Sequence, residues 1–366
     1  MNDNEYMNMA IELAIKGEGY VNPNPKVGAV IVKNNKVIGK GYHTKFGSIH
    51  GEIEALMNCS EDPKGATLYV TLEPCCNYGK TPPCTEAIIK SGIREVVIGT
   101  LDPNKNVNGK GKAILEEAGI KVRMGSDEAK CINLNKPFNK MMTKGEPYVT
   151  LKYAMTMDGK IATKTGKSKW ITSDKSRHEV HVERHRNMAI MVGIGTVLAD
   201  NPYLTCRIEN GKSPIRIICD TNLRLPIDSN VVNTANEVKT IVATCNNDEI
   251  IHKKYIEKGV EILKVSKKNN RVDLKNLMVL LGEKNVDSIL LEGGSELNWQ
   301  ALNTQIVDEV HGYIAPKIFG GDAKNPVMGE GVSEVDSCFR LVPIEAKMID
   351  DDLLIKSEVI YHCSQE

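Results

Sequence analysis

The sequence predicts an α/β chain of two domains, and three observations carry that prediction. The apolar runs are short and alternate between strand-like and helix-like periods. A polar stop, Lys144-Gly145-Glu146-Pro147, interrupts the alternation and leads at once into a fresh apolar strand, Tyr148 to Ala154. A length of 366 residues exceeds one ordinary compact domain and suits two, each able to bury its own core. The expected boundaries are 1–145 and 146–366.

The first domain opens with an amphipathic helix from about Glu5 to Gly17. Val27 to Lys33 and Lys36 to Tyr42 read as strands of a hairpin turning at Asn34-Asn35. A helix is expected to open near His50, with a strand at Ala66 to Leu72, a helix starting at Thr81-Pro82-Pro83, a strand at Arg94 to Gly99 and one helix from Asp127 to about Met142. In the second domain the pattern predicts a helix from Asp174 to Asn187 and strands at Met188 to Gly193, Pro214 to Cys219, Lys239 to Thr244 and Ser288 to Leu291. Two late strands, Glu309 to Ile314 and Leu353 to Ile360, complete a sheet of mixed direction.

Composition narrows the functional classes. Lys plus Arg number 47, as do Asp plus Glu, so the net charge is zero and nucleic acid is not an expected partner. The N-terminus lacks the basic segment and apolar core of a signal peptide. The longest apolar run, Ala189 to Ala199, is broken by glycines and too short to span a bilayer, so a soluble cytoplasmic protein without membrane association is expected. Ten irregularly spaced cysteines suggest thiolate ligands in a reducing compartment, not a disulfide framework.

Chemistry concentrates between positions 50 and 84. His50-Gly51-Glu52, Pro74-Cys75-Cys76 and Cys84 supply three zinc ligands (His50, Cys75, Cys84) and one carboxylate left over. Structural zinc sites close with four protein ligands, whereas a hydrolytic site keeps one position open for water. The order matches the zinc deaminase signature, with Glu52 as proton carrier. Cys84 falls just after Pro82-Pro83, where a helix N-terminus favours a thiolate. Cys59 and Cys76 are read as non-ligands. In the second half, Leu291-Glu-Gly-Gly-Ser295 reads as a strand running through two glycines into a helix. That junction suits a dinucleotide phosphate, though it is also simply a tight turn.

Two rival readings stay open on these residues: another amino-base deaminase with an accessory domain, or a zinc-stabilised interaction module. Glu52 argues against the second, since a structural site gains nothing from a spare acid.

Segments in both halves carry a resemblance. Asn22-Pro-Asn-Pro-Lys-Val-Gly28, His50-Gly-Glu52 and Thr71 to Cys84, with eight residues between the cysteines, resemble the deaminase half of the bifunctional riboflavin-biosynthesis deaminase/reductase family, apart from Gly51 where that family usually has Ala. Leu151 to Gly159, Ser168 to Ser173, Gly195 to Pro202 with Leu204 and Arg207, and Leu291 to Gly294 are similar, in that order, to its reductase half.

The resemblance implies an N-terminal cytidine-deaminase-like α/β/α layer and a C-terminal dihydrofolate-reductase-like α/β domain. It implies zinc-dependent deamination of 2,5-diamino-6-ribosylamino-4(3H)-pyrimidinone 5′-phosphate, then NADPH-dependent reduction of ribosyl to ribityl. Ala154, Trp170, Thr196, Asp200 and the run Gly294, Ser295, Glu296, Leu297, Asn298, Trp299 and Gln300 would line the nicotinamide nucleotide. Ser168, Arg184, Leu204, Arg207 and Glu292 would hold the substrate, the arginines on its phosphate. Lys152 and Asp158 would sit near the sugar, while Asn24, His43 and Lys80 would grip the pyrimidine in the deaminase pocket. A homo-oligomer is the expected assembly.

Overall fold

A computed structural model describes residues 1–78, 82–105, 107–125 and 127–361. Lys80 therefore lies outside the described residues. The chain divides into two compact units, Met1–Gly145 and Glu146–Glu366.

The first unit runs α1 (Asp3–Ile15), β1 (Gly28–Lys33), β2 (Lys36–Tyr42), α2 (Gly51–Met57), β3 (Thr67–Val70), α3 (Cys84–Lys90), β4 (Glu95–Ile98), α4 (Lys110–Glu117), β5 (Lys121–Met124), α5 (Glu128–Leu134) and α6 (Lys136–Lys144). Its sheet has the order β2-β1-β3-β4-β5, antiparallel around β1 and parallel from β3 to β5. The hairpin turns on Asn34 and Asn35, both at positive φ (50° and 62°), the conformation that a two-residue turn needs and Asn tolerates.

Successive residues of β1 serve opposite faces. Ile31 joins Leu68, Ile98, Ala55, Ile88 and Leu115 under α2, α3 and α4, and Val30 joins Tyr69, Val97 and Ala10 under α1. Helix α1 is closed by a capping box in which Asn2 accepts from the Glu5 N–H and Glu5 accepts from the Asn2 N–H.

The single helix expected over 127–142 is two. Asn135 leaves the helical conformation at φ −122°, and its side chain accepts from the Lys26 N–H (2.8 Å) and donates to the Lys26 carbonyl (2.9 Å). A long-range bond of this kind overrides local periodicity, and Pro137 then starts α6.

The second unit runs β6 (Tyr148–Thr156), α7 (Asp174–Arg186), β7 (Ala189–Gly193), α8 (Ile194–Asp200), β8 (Ile215–Cys219), α9 (Asn230–Asn233), β9 (Thr240–Thr244), α10 (Glu249–Ile256) and β10 (Val260–Lys264). A small hairpin of β11 (Lys267–Lys268) and β12 (Arg271–Val272) follows. Then come α11 (Leu274–Glu283), β13 (Ser288–Leu291), α12 (Ser295–Asn303), β14 (Glu309–Ala315), β15 (Arg340–Ile349) and β16 (Asp352–Ile360). Nine strands form one sheet in the order β10-β9-β8-β7-β13-β6-β14-β16-β15, parallel from β10 to β14 and antiparallel beyond.

Ala189 and Met191 of β7 belong to one core cluster and Ile190 and Val192 to the other, so both faces of the parallel part are covered. Edge strand β15 was not legible as a strand. Pro343 interrupts it, and Leu341, Val342, Ile344 and Met348 are all exposed, so no inward face marks it. No helix among the described residues is long and apolar enough to cross a membrane.

Candidate active sites

In the first unit, His50 is the N-cap of α2, so its ring stands at the helix mouth and Glu52 follows in the first turn. Cys75 lies just beyond β3, and Cys84 opens α3 with Pro83 as its N-cap. His50 Nδ1 is 3.5 Å from Cys75 Sγ and 3.3 Å from Cys84 Sγ, and the three donor atoms lie within 4.8 Å of one another. Two sulfurs and an imidazole form a soft donor set that suits zinc. The Cys84 N–H donates to Cys75 Sγ (3.3 Å). Hydrogen bonding from Cys84 and then from His50 outweighs burial and pulls the Cys75 thiol down to about 4, while the Cys84 thiol is pushed up by the same pairing.

Glu52 is 2 % exposed and its Oε2 is buried with no hydrogen-bond partner. Burial, followed by the negative charge of Cys75, pushes its carboxyl up to about 7. A buried carboxyl with one oxygen left without a partner, beside three metal donors, is a group with a proton to move.

His43 and Asn24 come together at this site. His43 Nδ1 meets the Ile49 carbonyl at 3.0 Å, its Nε2 meets Asn24 Nδ2 at 3.2 Å, and its ring stands edge-on to His50 with centroids 5.5 Å apart. An Nδ1–H donor and an Nε2 acceptor fit a neutral ring, and burial lowers its pKa.

Gly51 is a matter of space, not only of helix propensity. A Cβ there would lie 2.9 Å from the Val27 carbonyl oxygen, so the chain crosses closely where α2 begins.

Glu73, next to Pro74-Cys75, was not singled out in the sequence. Its carboxylate accepts the N–H groups of Asp102 (3.1 Å), Gly109 (3.0 Å) and Lys112 (3.0 Å), pinning the loop and the start of α4 against the ligand segment. Its adjacency to the ligand was the available signal.

In the second unit, three residues far apart in sequence meet. Arg184 of α7 grips Glu292 as a fork, Nε to Oε1 at 2.7 Å and Nη2 to Oε2 at 3.0 Å, and its Nη1 donates to the Thr205 carbonyl (3.0 Å). Lys152 of β6 places Nζ 3.7 Å from Glu292 Oε2 and 5.8 Å from the centre of the Tyr313 ring. Burial opposes ionisation of Glu292, yet Arg184 and Lys152 outweigh it and hold the carboxyl down to about 2. Burial likewise lowers the Lys152 pKa, against the pull of Glu292.

Arg184 is thus spent on Glu292 and Thr205, whereas Arg207 is exposed on an irregular segment after Leu204, which is buried at φ 53°. The Arg207 N–H donates to His181 Nδ1 (3.2 Å), and burial, then Arg184 and Arg207, push that histidine down to about 4. Ser168 is half-buried in the loop after β6. Asp158 holds a loop, accepting from Thr156 Oγ1 and from the Phe319 and Gly320 N–H groups.

The residues matched to a nicotinamide nucleotide are only partly gathered. Gly294 is the N-cap of α12, and a Cβ on it would lie 3.8 Å from Thr196 Oγ1 in the first turn of α8, so two helix starts converge there. Ala154 lies on β6, Asp200 is exposed at the end of α8, and Trp170 is exposed with Arg177 4.4 Å from its ring centre.

The rest of that helix is turned to other partners. Ser295 Oγ donates to the Asn325 carbonyl, Glu296 pairs with Arg271 (2.9 Å), and Leu297 enters the core. Asn298 and Gln300 donate to the Pro326 and Val272 carbonyls, and Trp299 packs on Phe339. One helix cannot aim seven consecutive residues at one ligand.

Fold and sites together define a two-domain enzyme, a zinc-dependent deaminase unit joined to a reductase unit. Comparisons with known proteins narrow this class. The family described as "RibD C-terminal domain" matches residues 147–355, and that described as "Cytidine and deoxycytidylate deaminase zinc-binding region" matches residues 1–100. The chain is 48% identical over 361 residues to the riboflavin biosynthesis protein RibD of Actinobacillus pleuropneumoniae, covering 98% of this chain and 96% of that one. A crystal structure of the Thermotoga maritima diaminohydroxyphosphoribosylaminopyrimidine deaminase/5-amino-6-(5-phosphoribosylamino)uracil reductase superposes with a TM-score of 0.87 at 40% identity, covering 98% and 99%. For Acinetobacter baumannii RibD, form 1, the TM-score is 0.89 at 36% identity, with the same coverage. The chain belongs to the RibD family, the bifunctional deaminase/reductases of riboflavin biosynthesis.

Proposed function

We propose that residues 1–145 deaminate 2,5-diamino-6-ribosylamino-4(3H)-pyrimidinone 5′-phosphate and that residues 146–366 then reduce the ribosyl group with NADPH, giving 5-amino-6-ribitylamino-uracil 5′-phosphate. The observation that carries the first half is the buried Glu52 carboxyl, its Oε2 without a partner, poised at about 7 beside His50, Cys75 and Cys84. A general base works best with a pKa near the working pH. Zinc in that donor set supplies the Lewis acidity that lets water lose a proton near neutrality. Glu52 takes that proton and delivers it to the ring nitrogen; it then takes the second proton of the former water, from the hydroxyl added to the ring carbon, and delivers it to the departing amine as the C–N bond breaks and the carbonyl forms. The Asn24–His43 pair holds the pyrimidine beside His50, with Lys80 as a third grip.

For the second half, Arg207 takes the substrate phosphate, and Arg184 and Glu292 shape the sugar site that Ser168 and Leu204 flank. Lys152, the ammonium beside Glu292, hands a proton to the ribose ring oxygen. The junction at Gly294 and Thr196 takes the nicotinamide nucleotide, with Trp170 and Ala154 beside it. NADPH is the choice implied by the family, not by any one residue. The equal counts of acidic and basic residues support a small-molecule partner without nucleic acid, and the thiol donors, which need a reducing compartment, support a cytoplasmic enzyme. The exposed apolar edge of β15 supports a homo-oligomer.

A single incubation with the diaminopyrimidine ribosylamino phosphate tests the reading. Ammonia release without NADPH is expected first, and nucleotide oxidation after its addition. NADPH oxidation with no prior ammonia release would refute the order, and neither signal in zinc-loaded protein would refute the substrate.

A further inference from the structure

One face of the nine-stranded sheet carries a row of ionisable side chains that these assignments leave unused. The register sets His311 of β14 beside Lys152 of β6 on one side and Lys356 of β16 on the other, and Lys356 beside Glu345 of β15. Paired residues of neighbouring strands stand on one face about 4.8 Å apart. Lys152, His311, Lys356 and Glu345 therefore form a transverse row, and Glu292 closes its inner end through Lys152.

Helix α7 roofs the row. Its Val180 packs with Tyr313 and Leu354, and its Glu183 lowers a carboxylate between His311 and Lys356, Oε2 3.7 Å from His311 Nδ1 and Oε1 3.8 Å from Lys356 Nζ. Lys356 Nζ lies 3.0 Å from Glu345 Oε2, and the Glu345 side chain is 38% exposed. The inner end is buried and the outer end reaches solvent.

His311 presents each ring nitrogen to a carboxylate and stands beside Lys152 in the register. Its Nε2 meets Glu309 Oε2 at 3.2 Å, while its Nδ1 is buried, faces Glu183 and has no hydrogen-bond partner. The remaining charged or titratable groups around the row are Glu179 and Arg186 on α7, with Arg186 Nη1 3.3 Å from both Glu179 and Glu183. The Tyr313 hydroxyl, buried without a partner, Arg184, on Glu292, and Lys347 of β15, with Nζ 2.9 Å from Glu345 Oε1, stand there as well. Packing alone gives no reason for such a row, because a half-satisfied buried polar network is worse than an apolar one.

We propose that this row is a proton path that resupplies Lys152 from solvent during ribosyl reduction, with His311 as its relay. The inference rests on reading the C-terminal unit as the ribosyl reductase. In that reaction C1′ receives a hydride, as the nicotinamide is oxidised, and the C1′–O4′ bond breaks with its electron pair staying on O4′. That oxygen takes a proton from the Lys152 ammonium, which is left as a neutral amine. Across one strand spacing, directly or through one water, His311 returns a proton to Lys152. It regains one from Glu183, and Glu183, Lys356 and Glu345 exchange with solvent. One hydride and one proton are consumed per turnover. His311 acts through Lys152 and is a positioning and relay residue, not one that touches substrate.

The test compares His311→Ala with the unaltered full chain, both zinc-loaded. Reductase kcat is expected to fall by about 10²-fold, with KM for both ligands and the deaminase rate unchanged, and to recover when imidazole is added. A full rate in His311→Ala, or a loss that imidazole does not repair, would overturn the path. If His311→Ala fails to fold, Lys356→Met and steady-state reductase rates of the unaltered enzyme in H2O/D2O mixtures decide. A curved dependence on deuterium fraction and a slowed variant are expected, and a linear dependence with a variant of normal rate overturns the proposal. In the ligand-free protein, the ring 15N chemical shifts of His311 at one fixed pH should move when Lys152→Met is introduced, and unmoved shifts count against coupling along the row. Lys152→Met separates the two ideas: inactive while His311→Ala runs at full rate, the path alone is wrong; fully active, the reading of Lys152 beneath it is wrong.

Discussion

The two sites place their charge in opposite ways. The site in the first unit gathers its ligands from 35 consecutive positions, His50 to Cys84, and keeps one carboxylate oxygen without a partner. The site in the second unit draws Lys152, Arg184 and Glu292 from three distant elements and satisfies the acid with two cations. A carboxylate left alone rises to about 7 and becomes a base, and one that is doubly paired falls to about 2 and becomes a fixed anion. The lesson is that burial sets the stakes and the partner sets the role.

The contrast can be broken most severely at Glu52. Glu52→Gln should retain one zinc per chain by elemental analysis and lose ammonia release by about 10²–10⁴-fold, while NADPH oxidation on the deaminated substrate continues. Loss of zinc in that variant would make Glu52 a ligand instead.

Next in size is Glu292→Ala, which strands Arg184 and Lys152 in the interior and should destabilise the reductase unit by about 3–5 kcal/mol in urea unfolding. A smaller version of the same effect is built into the pH profile. The Glu292 carboxyl falls from 4.5 to about 2 on folding, so its contribution is fully present above pH 4.5 and is lost as pH falls through about 2. Unfolding free energy measured across that window should drop by about 3 kcal/mol in the parent and more weakly in Glu292→Gln; equal slopes would refute the pairing.

Arg207→Ala comes third, raising the reductase KM for substrate by about tenfold or more with deamination spared. Lost deamination would misplace the residue. The smallest effect expected is from Asn2→Ala, which removes the capping box of α1 and should cost about 1 kcal/mol, read as a lower thermal midpoint of deaminase activity.

The same contrast explains what could be read in advance. The gathering of His50, Cys75 and Cys84 was legible because a helix N-cap, a strand end and a second helix start lie close along the chain, and residue type alone marks thiolate and imidazole donors. Identities in the reductase half were legible too, but not who holds whom. Arg184 and Glu292 are separated by 108 positions, and nothing local says that the guanidinium turns to Glu292. Glu73 and Asn135 escaped for the same reason, since each acts on backbone remote in sequence, and β15 escaped because an exposed edge has no buried face to reveal its period.

The Cys75–Cys84 pairing has a consequence for how the protein ages. Hydrogen bonding from Cys84 and His50 holds the Cys75 thiol well below its usual range and favours the thiolate, and its neighbouring sulfur lies within 4.8 Å. The electron-rich sulfur that makes a good ligand is equally a good target for peroxide, and the sulfenic acid it forms has a second cysteine at hand to close a disulfide. Metal in the site is therefore also a preservative: once stripped by a chelator in air, the deaminase half has a limited time in which zinc alone restores it, after which a reductant must come first.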